Sequence, residues 1–182
     1  NTFYDDFYLN FEVKNKVVYL HDDTVPAHSN FTISIEDSIS TSVEKEKMYI
    51  ASVNGSKINY IPTKMTGNTF SCKVKTLGQF KLVKDDVAPV VKMAKSIQDK
   101  WITNQKTIEV NVSDALSGVK TYNGYINDKW VLFEYESKLN KLTYELNDAD
   151  LLEGKNNLKL IVTDNVGNST IFETQFYRSK KK

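Results

Sequence analysis

The amino-acid sequence predicts an all-β protein made of two tandem β-sandwich domains. Three observations predict it: apolar residues alternate with period two, turn residues recur at a spacing of roughly 8 to 12 residues, and an acid-proline joint divides the chain. The chain has 182 residues, of which 40% are hydrophobic. That length provides two domains of about 90 residues each, and that composition is sufficient for two packed cores.

The first half of the chain shows the alternation in short runs rich in β-branched and aromatic residues, which are typical of half-buried strands. The apolar side chains that share one face in two of these runs are Phe31, Ile33 and Ile35, and then Phe80 and Leu82. Between MYIASV and KINYI, Asn54 and Gly55 tolerate a positive φ and predict a two-residue hairpin turn. One short helix is predicted near residues 41–48, where Thr41 and Glu44 have the spacing of a capping box.

A domain boundary is predicted at KDDVAPVVK. Pro89 cannot donate to a strand ladder, and it holds the preceding residue in an extended conformation. Asp85 and Asp86 come before it, and we expect both carboxylates to be solvated. The chain is therefore divided into residues 1–86, a β-sandwich module that includes the short helix, and residues 87–182, an immunoglobulin-like or fibronectin-like β-sandwich.

The second half repeats the period-two signal. The side chains that share one face in its runs are Ile108, Val110 and Val112, then Leu142, Tyr144 and Leu146, and then Leu158, Leu160 and Val162. A hairpin rich in aromatic residues is predicted over residues 114–136. Asp114 can accept hydrogen bonds from nearby backbone amides and Gly118 leaves the turn, so this pair predicts the start of the hairpin. The chain is predicted to reverse at Asn127 and Asp128.

The return segment of this hairpin, KWVLFEY, is apolar on both faces. Val131, Phe133 and Tyr135 share one face, and Trp130 and Leu132 share the other. A strand with two apolar faces is expected in the middle of a sheet, covered on both sides. We therefore predict that the hairpin lies centrally and that most of its aromatic rings belong to the core.

Charge and hydropathy exclude two classes of partner. Twenty-four basic and 23 acidic residues give a net charge of +1, so no single-sign field attracts nucleic acid. The one basic run, residues 180–182, is predicted to be a solvated tail. No apolar run approaches the roughly 18 residues that a membrane-spanning helix needs. Because the chain starts at Asn1 without a signal peptide, we expect a piece of a longer protein or a mature form.

The sequence shows no arrangement that predicts catalysis. His21 and His28 lie in YLHDDTVPAHSN, whose spacing matches no zinc motif, and a polar loop explains them. Cys72 lies in the alternating run NTFSCKVKT and is predicted to be a small packing residue. The neighbouring pairs of carboxylates are predicted in loops: Asp22 and Asp23, Asp85 and Asp86, and Asp148 and Asp150. We therefore assign no catalytic residue, no metal ligand and no cofactor.

Calcium is the one alternative considered for the acids. β-Modules can hold a joint with linker aspartates and neighbouring loops, for which the possible ligands here are Asp85, Asp86, Asp114 and Asp164. No dense D-x-D-x-D loop is present, so ordinary turn residues are the preferred interpretation. In VTDNVGNST, for example, Asp164 begins a hairpin turn and Gly167 takes its left-handed position.

The order of several stretches is similar to a known family. They are DDVAPVV, VSDALSGVKTY, INDKWVLFEYE, LTYEL and NNLKLIVTDNVGNSTIFETQFYR. With them, residues 86–178 resemble the C-terminal immunoglobulin-like tail of exported Bacteroidetes proteins that carry a lysostaphin-type zinc metallopeptidase domain upstream. YIASVNGSKINYI and TLGQFKLVKD are similar to the β-module before that tail. Asp128 stands where the family's tight turn usually has Gly.

The resemblance implies an exported protein of the periplasm or cell surface whose upstream domain cuts peptidoglycan cross-links. The zinc site of such a domain uses a His and an Asp and then an H-x-H pair. Neither motif occurs in these residues, so no catalytic role carries over. The implied partners are the upstream domain of the same polypeptide and the cell wall, or a surface glycan or protein.

Three functions are weighed. The first is a non-catalytic accessory module that positions an upstream cell-wall peptidase. The second is a carbohydrate-binding or adhesin-type module, with Tyr60, Trp101 and Tyr125 as an aromatic platform for sugar rings. The third is a stand-alone enzyme with a carboxylate site. The sequence favours the first.

Overall fold

The computed structural model describes residues 2–179, so the predicted tail at residues 180–182 lies outside the described part. The chain divides into two compact units, residues 1–86 and residues 87–182. Antiparallel strands dominate both units, and the prediction of an all-β protein of two tandem sandwiches is confirmed. Among the described residues, no helix is long and apolar enough to cross a membrane.

The first unit is a sandwich of a five-stranded and a three-stranded sheet. The five-stranded sheet has the order β1-β2-β8-β4-β5, with β1 Phe11–Lys14, β2 Val17–Leu20, β4 Met48–Asn54, β5 Lys57–Tyr60 and β8 Gly78–Lys84. The other has the order β3-β7-β6, with β3 Phe31–Glu36, β6 Thr63–Thr66 and β7 Thr69–Val74. Alternate side chains of both sheets form the core, which comprises Ile33, Ile50, Phe70, Cys72, Val74 and Phe80.

A helix of one turn, α1 Ser42–Lys45, precedes β4. The predicted capping box is present: Thr41 Oγ1 accepts a hydrogen bond from the Glu44 N–H at 3.3 Å, and Glu44 Oε2 accepts one from the Thr41 N–H at 2.9 Å. The hairpin turn between β4 and β5 lies one residue later than predicted. Asn54 still pairs with Lys57, so Gly55 and Ser56 form the loop, and Gly55 supplies the positive φ of 59°.

The second unit is a sandwich of two four-stranded sheets. One sheet has the order β13-β14-β10-β9, with β9 Val90–Met93, β10 Thr107–Ser113, β13 Glu134–Glu136 and β14 Lys141–Glu145. The other has the order β12-β11-β15-β16, with β11 Val119–Ile126, β12 Lys129–Val131, β15 Gly154–Asp164 and β16 Ser169–Arg178. The buried alternating residues of β10, β14 and β15 that the sequence predicts lie between these sheets.

The prediction of a central aromatic hairpin is wrong in one respect. The chain reverses at Asn127 and Asp128 as predicted, with φ values of 51° and 64°. The return strand then breaks: β12 pairs with β11, whereas β13 pairs with β14 in the other sheet. Both β12 and β13 are edge strands. Trp130 and Leu132 are therefore exposed, at 58% and 61%, rather than covered.

A glycine makes room for this crossing between sheets. Phe133 is 2% exposed and packs against Tyr144, with ring centroids 5.5 Å apart. Its ring lies directly over Gly124 of β11, where a Cβ atom would be only 2.3 Å from the ring. The absence of a side chain at Gly124 therefore lets Phe133 enter the core as the chain passes from one sheet to the other.

Candidate functional site

The two acids before the proline joint behave differently from each other. Asp85 is fully buried, so the expectation that both aspartates are solvated is wrong for this residue. Its N–H donates to the Lys47 carbonyl at 2.9 Å, which continues the pairing of β8 with β4 past the end of β8 and holds Asp85 in the fold. Asp86 is exposed and pairs with Lys84 at 2.9 Å. The hydrogen bond that Lys84 donates to the Asp86 carboxylate raises the pKa of Lys84.

Asp164 holds the hairpin turn between β15 and β16. Its side chain is completely buried. Oδ1 accepts hydrogen bonds from the Val166 N–H at 2.9 Å and the Asn168 N–H at 2.8 Å. Oδ2 accepts one from the Asn168 side-chain amide at 2.7 Å. A carboxylate that accepts three hydrogen bonds from its own turn stabilises that turn, as the sequence predicts for Asp164.

Asp114 does the same for the turn that leads into β11. Its Oδ1 accepts hydrogen bonds from the Leu116 N–H at 3.1 Å and the Gly118 N–H at 2.6 Å. The two turns are tied together by Asn165, whose side-chain amide donates to the Ser117 carbonyl at 2.8 Å and the Gly118 carbonyl at 3.1 Å. The fold thus brings two loops of the second unit together through a polar network.

The structure bears on the calcium hypothesis residue by residue. Asp114 and Asp164 offer carboxylate oxygens within 4.8 Å of each other, and both carboxylates already support backbone turns. Asp85 is buried, and the carboxylate of Asp86 faces Lys84. A calcium site at these four residues stays a prediction.

The remaining residues with potential chemistry are explained by packing. His21 Nδ1 accepts a hydrogen bond from the Asn10 N–H at 3.3 Å, and its ring lies 5.0 Å from that of Phe7. His28 packs against Tyr4, with centroids 5.1 Å apart. Cys72 is 3% exposed in β7, which confirms the predicted packing role, and burial raises the pKa of its thiol. A thiol with a raised pKa is a poor nucleophile at neutral pH.

The three aromatic residues proposed as a platform lie in different places. Tyr60 is half-buried in the first unit, 5.0 Å from the ring of Tyr49, and burial raises its pKa. Trp101 and Tyr125 lie in the second unit. Trp101 is 63% exposed and lies beside Tyr177, with ring centroids 5.4 Å apart and an interplanar angle of 32°. Tyr60 therefore forms no common surface with the other two within either unit.

Tyr125 belongs to a row of side chains across one sheet face. In the strand register, Trp130 pairs with Tyr125, Tyr125 with Lys159, and Lys159 with Glu173. Alternation places these side chains on the side of β12-β11-β15-β16 that faces away from the core, which we call the outer face. The sequence analysis predicted that Trp130 lies in a central hairpin whose aromatic rings mostly belong to the core. The signal that identifies its true position is the pairing set by the turn at Asn127, which puts Trp130 opposite Tyr125.

A groove of about 440 Å³ lies on the outer face. Its floor is rich in amide and charged groups, and the polar side chains that line it are Gln98, Asp128, Asn157, Lys159, Glu173, Thr174 and Gln175, with Tyr125 beside them. The outer face therefore carries a polar groove, with Trp130 paired to Tyr125 across β12 and β11, and Trp101 paired to Tyr177 at the free edge of β16.

The segment that carries Trp101 is fastened to the edge of β16. Tyr177 donates to the Lys100 carbonyl at 2.8 Å, and its own carbonyl accepts from the Ile102 N–H at 2.9 Å. Asp99 donates its N–H to the Gln175 carbonyl at 2.9 Å. Hydrogen bonds from the side chains of Gln98 and then Gln175 lower the pKa of Asp99, so this carboxylate stays ionised at neutral pH.

Comparisons with known proteins find one family model and several similar solved structures. Residues 1–85 match the family model described as the Zu5-like domain. No curated protein sequence matches the chain. Among solved structures, the fibronectin(III)-like modules of CbhA from Clostridium thermocellum are similar, with a TM-score of 0.41, 15% identity, and coverage of 83% of this chain and 86% of that one.

Two further solved structures are similar. The titin immunoglobulin tandem A164-A165 has a TM-score of 0.36 and 12% identity, and the match covers 84% of this chain and 90% of that one. The endo-β-1,4-mannanase from Thermotoga petrophila has a TM-score of 0.45 and 10% identity, with 53% of this chain covered. The match spans 21% of the length of the mannanase.

Proposed function

We propose that these residues form a non-catalytic accessory module of an exported cell-envelope protein. The module positions an upstream cell-wall zinc endopeptidase that belongs to the same polypeptide. Its partners are that upstream domain and the cell wall, and its location is the periplasm or the cell surface. The resemblance of residues 86–178 to the tail of lysostaphin-type peptidases supports the peptidase and the location.

The non-catalytic assignment rests on the hydrogen bonds that the polar side chains of the second unit make. A general acid or a general base must direct its charged atoms towards a substrate. The carboxylates of Asp114 and Asp164 instead accept hydrogen bonds from their own turns. Asn165 spends its amide on two backbone carbonyls. Groups used in this way hold a scaffold together, and the exposed chemistry of the unit is that of a binding surface.

The proposal is tested on the natural polypeptide that contains this chain. We expect an upstream domain with the H-x-H zinc motif. Removal of residues 1–182 is expected to lower the fraction of the enzyme that co-sediments with peptidoglycan sacculi, while hydrolysis of a small soluble cross-linked peptide continues at the same rate. An open reading frame that begins just before residue 1, or hydrolysis of sacculi by the 182-residue chain alone, would refute the proposal.

A further inference from the structure

We propose that the outer face of β12-β11-β15-β16 binds a neutral polysaccharide chain. The chain lies across the polar groove, with Trp130 and Tyr125 as one stacking site and Trp101 and Tyr177 as the other. The proposal rests on the assignment of the chain as a non-catalytic binding module, but it does not require the upstream peptidase.

The spacing of the two aromatic pairs fits a polymer rather than a single sugar. Glu173 of β16 lies in the same row across the sheet as Trp130. Tyr177 lies four residues further along β16, at a distance from Glu173 of roughly 14 Å. Trp130 lies three strands across the sheet from Glu173, which corresponds to another distance of roughly 14 Å. The two aromatic pairs therefore stand roughly 20 Å apart on one face, so one extended ligand can contact both.

The groove between the aromatic pairs matches the hydroxyl groups of a sugar. A hydroxyl both donates and accepts hydrogen bonds, and a side-chain amide offers both functions as well. Asn157 supplies a side-chain amide along the groove, and Lys159 and Glu173 form an exposed pair with a separation of 3.6 Å. Aromatic rings supply the flat apolar surface on which the CH face of a pyranose ring packs.

The charges on and beside the groove select a neutral ligand. The charged residues that line the groove are one lysine, Lys159, and two acids, Asp128 and Glu173. This balance gives no positive field for a nucleic acid or an acidic polysaccharide. A neutral hydroxylated polymer places no net charge against the acids, so it fits the face better than a polyanion.

The arrangement of apolar and polar groups argues against a protein partner. Protein interfaces place their apolar residues at the centre and surround them with a polar rim. On the outer face the order is reversed, because the aromatic rings stand at the ends and the amides lie between them. Ile161 and Ile171 are also on this face, but they lie beyond the row of Glu173 and do not line the groove.

The groove is held in place before any ligand arrives. The side-chain carbonyl of Gln98 accepts a hydrogen bond from Thr174 Oγ1 at 2.6 Å, and its amide donates to Asp99 at 2.8 Å. At the other end, the side-chain carbonyl of Asn127 accepts a hydrogen bond from the Asn157 N–H at 3.0 Å. Such ordering lowers the entropy cost of binding.

Affinity electrophoresis of the full 182-residue chain tests the proposal. The gels contain one of four neutral polymers, namely hydroxyethyl cellulose, glucomannan, xylan or laminarin, or the acidic polymer polygalacturonate. We expect retardation by at least one neutral polymer and none by polygalacturonate. Trp130→Ala and Trp101→Ala are each expected to weaken binding about tenfold. Asn157→Ala is expected to weaken it several-fold.

Tyr8→Ala is the matched control because Tyr8 is a fully exposed aromatic residue in the first unit. It should leave retardation unchanged, and far-UV circular dichroism of each variant verifies the fold. Failure of all four neutral polymers, equal effects of Tyr8→Ala and Trp130→Ala, or stronger retardation by polygalacturonate would overturn the proposal. If glycan binding fails while removal of the module still releases the natural polypeptide from sacculi, the accessory function stands and the glycan face alone is rejected.

Discussion

Substitution of Gly124 by alanine is the sharpest test of how the second sandwich is built. A Cβ atom at this position would lie 2.3 and 2.4 Å from two carbons of the Phe133 ring. Carbon atoms in contact prefer at least about 3.5 Å, so the new methyl group is about 1.2 Å too close. Phe133 is buried among core side chains and packs on Tyr144, so its ring has little room to move away.

We therefore expect Gly124→Ala to lower the free energy of unfolding of the second unit by about 3 kcal/mol, at the upper end for overpacked cores. The assay is urea unfolding followed by tryptophan fluorescence. Both tryptophans of the chain, Trp101 and Trp130, lie in the second unit, so the signal reports on that unit alone. With an m-value of about 1 kcal/mol/M, the midpoint should fall by roughly 3 M.

A double-mutant cycle separates the clash from other effects. Phe133→Ala alone should cost about 3 to 5 kcal/mol, because it empties a core position. In that background, alanine at position 124 meets no ring and should cost close to nothing, which gives a coupling of about 3 kcal/mol. Asn123→Ala, on the exposed side of the same strand, should change stability by less than about 0.5 kcal/mol. Equal costs of Gly124→Ala with and without the Phe133 ring would refute the reasoning.

Three further predictions concern single groups. Asp164→Asn should destabilise the second unit by about 1 to 3 kcal/mol in the same assay, because an amide NH₂ in the place of Oδ2 cannot accept the hydrogen bond from the Asn168 side chain, whereas the exposed Asp128→Asn should have little effect. Hydrogen bonds from the backbone and side chain of Thr41 lower the pKa of Glu44 below its usual 4.5, so the stability this group contributes to the first unit is complete above that pH. The contribution is lost as the pH falls through the lowered pKa, and thermal unfolding of Glu44→Gln should show a smaller pH dependence. Cys72 should resist thiol reagents at pH 8 in the native protein and react at once in denaturant, and rapid native labelling would contradict its burial.

Alternation and turn chemistry predicted most of the scaffold because both are local. The core residues of β10, β14 and β15 follow from period two alone. The roles of Asp114 and Asp164 follow from the short loops that each residue begins. The capping box at Thr41 and Glu44 is equally local. In each case the interacting groups lie within a few residues of each other in the sequence.

The exchange of sheets at Leu132 was not predictable in the same way. Val131, Phe133 and Tyr135 keep the same alternation whether one strand continues or the chain passes from one sheet edge to another. The difference depends on which strand lies beside each half, and that is a long-range property. Burial of Asp85 has the same origin, since its N–H bonds to Lys47, which is distant in sequence.

The polar groove could not be predicted from the sequence for a related reason. Gln98 and Gln175 are 77 residues apart in the sequence, and their shared hydrogen bond exists only because the segment with Trp101 lies along the edge of β16. Composition counts such amides as ordinary surface residues. Only the strand register shows that they share a face with Tyr125 and Trp130.

One structural device links the core to the proposed glycan face. Because Phe133 turns inward over Gly124, the chain leaves the β12-β11-β15-β16 sheet after Val131. Trp130 therefore lies on an exposed edge strand of that sheet. A variant that pushes Phe133 out of place should therefore disturb the position of Trp130, which lies three residues before Phe133 in the chain. Gly124→Ala should weaken polysaccharide retardation at temperatures where the second unit is still folded, whereas Asp164→Asn, which loosens a turn away from the groove, should leave retardation unchanged under the same conditions. If both variants weakened binding in proportion to their loss of stability, the effect would be general unfolding, and the link between the crossing and the aromatic edge would be wrong.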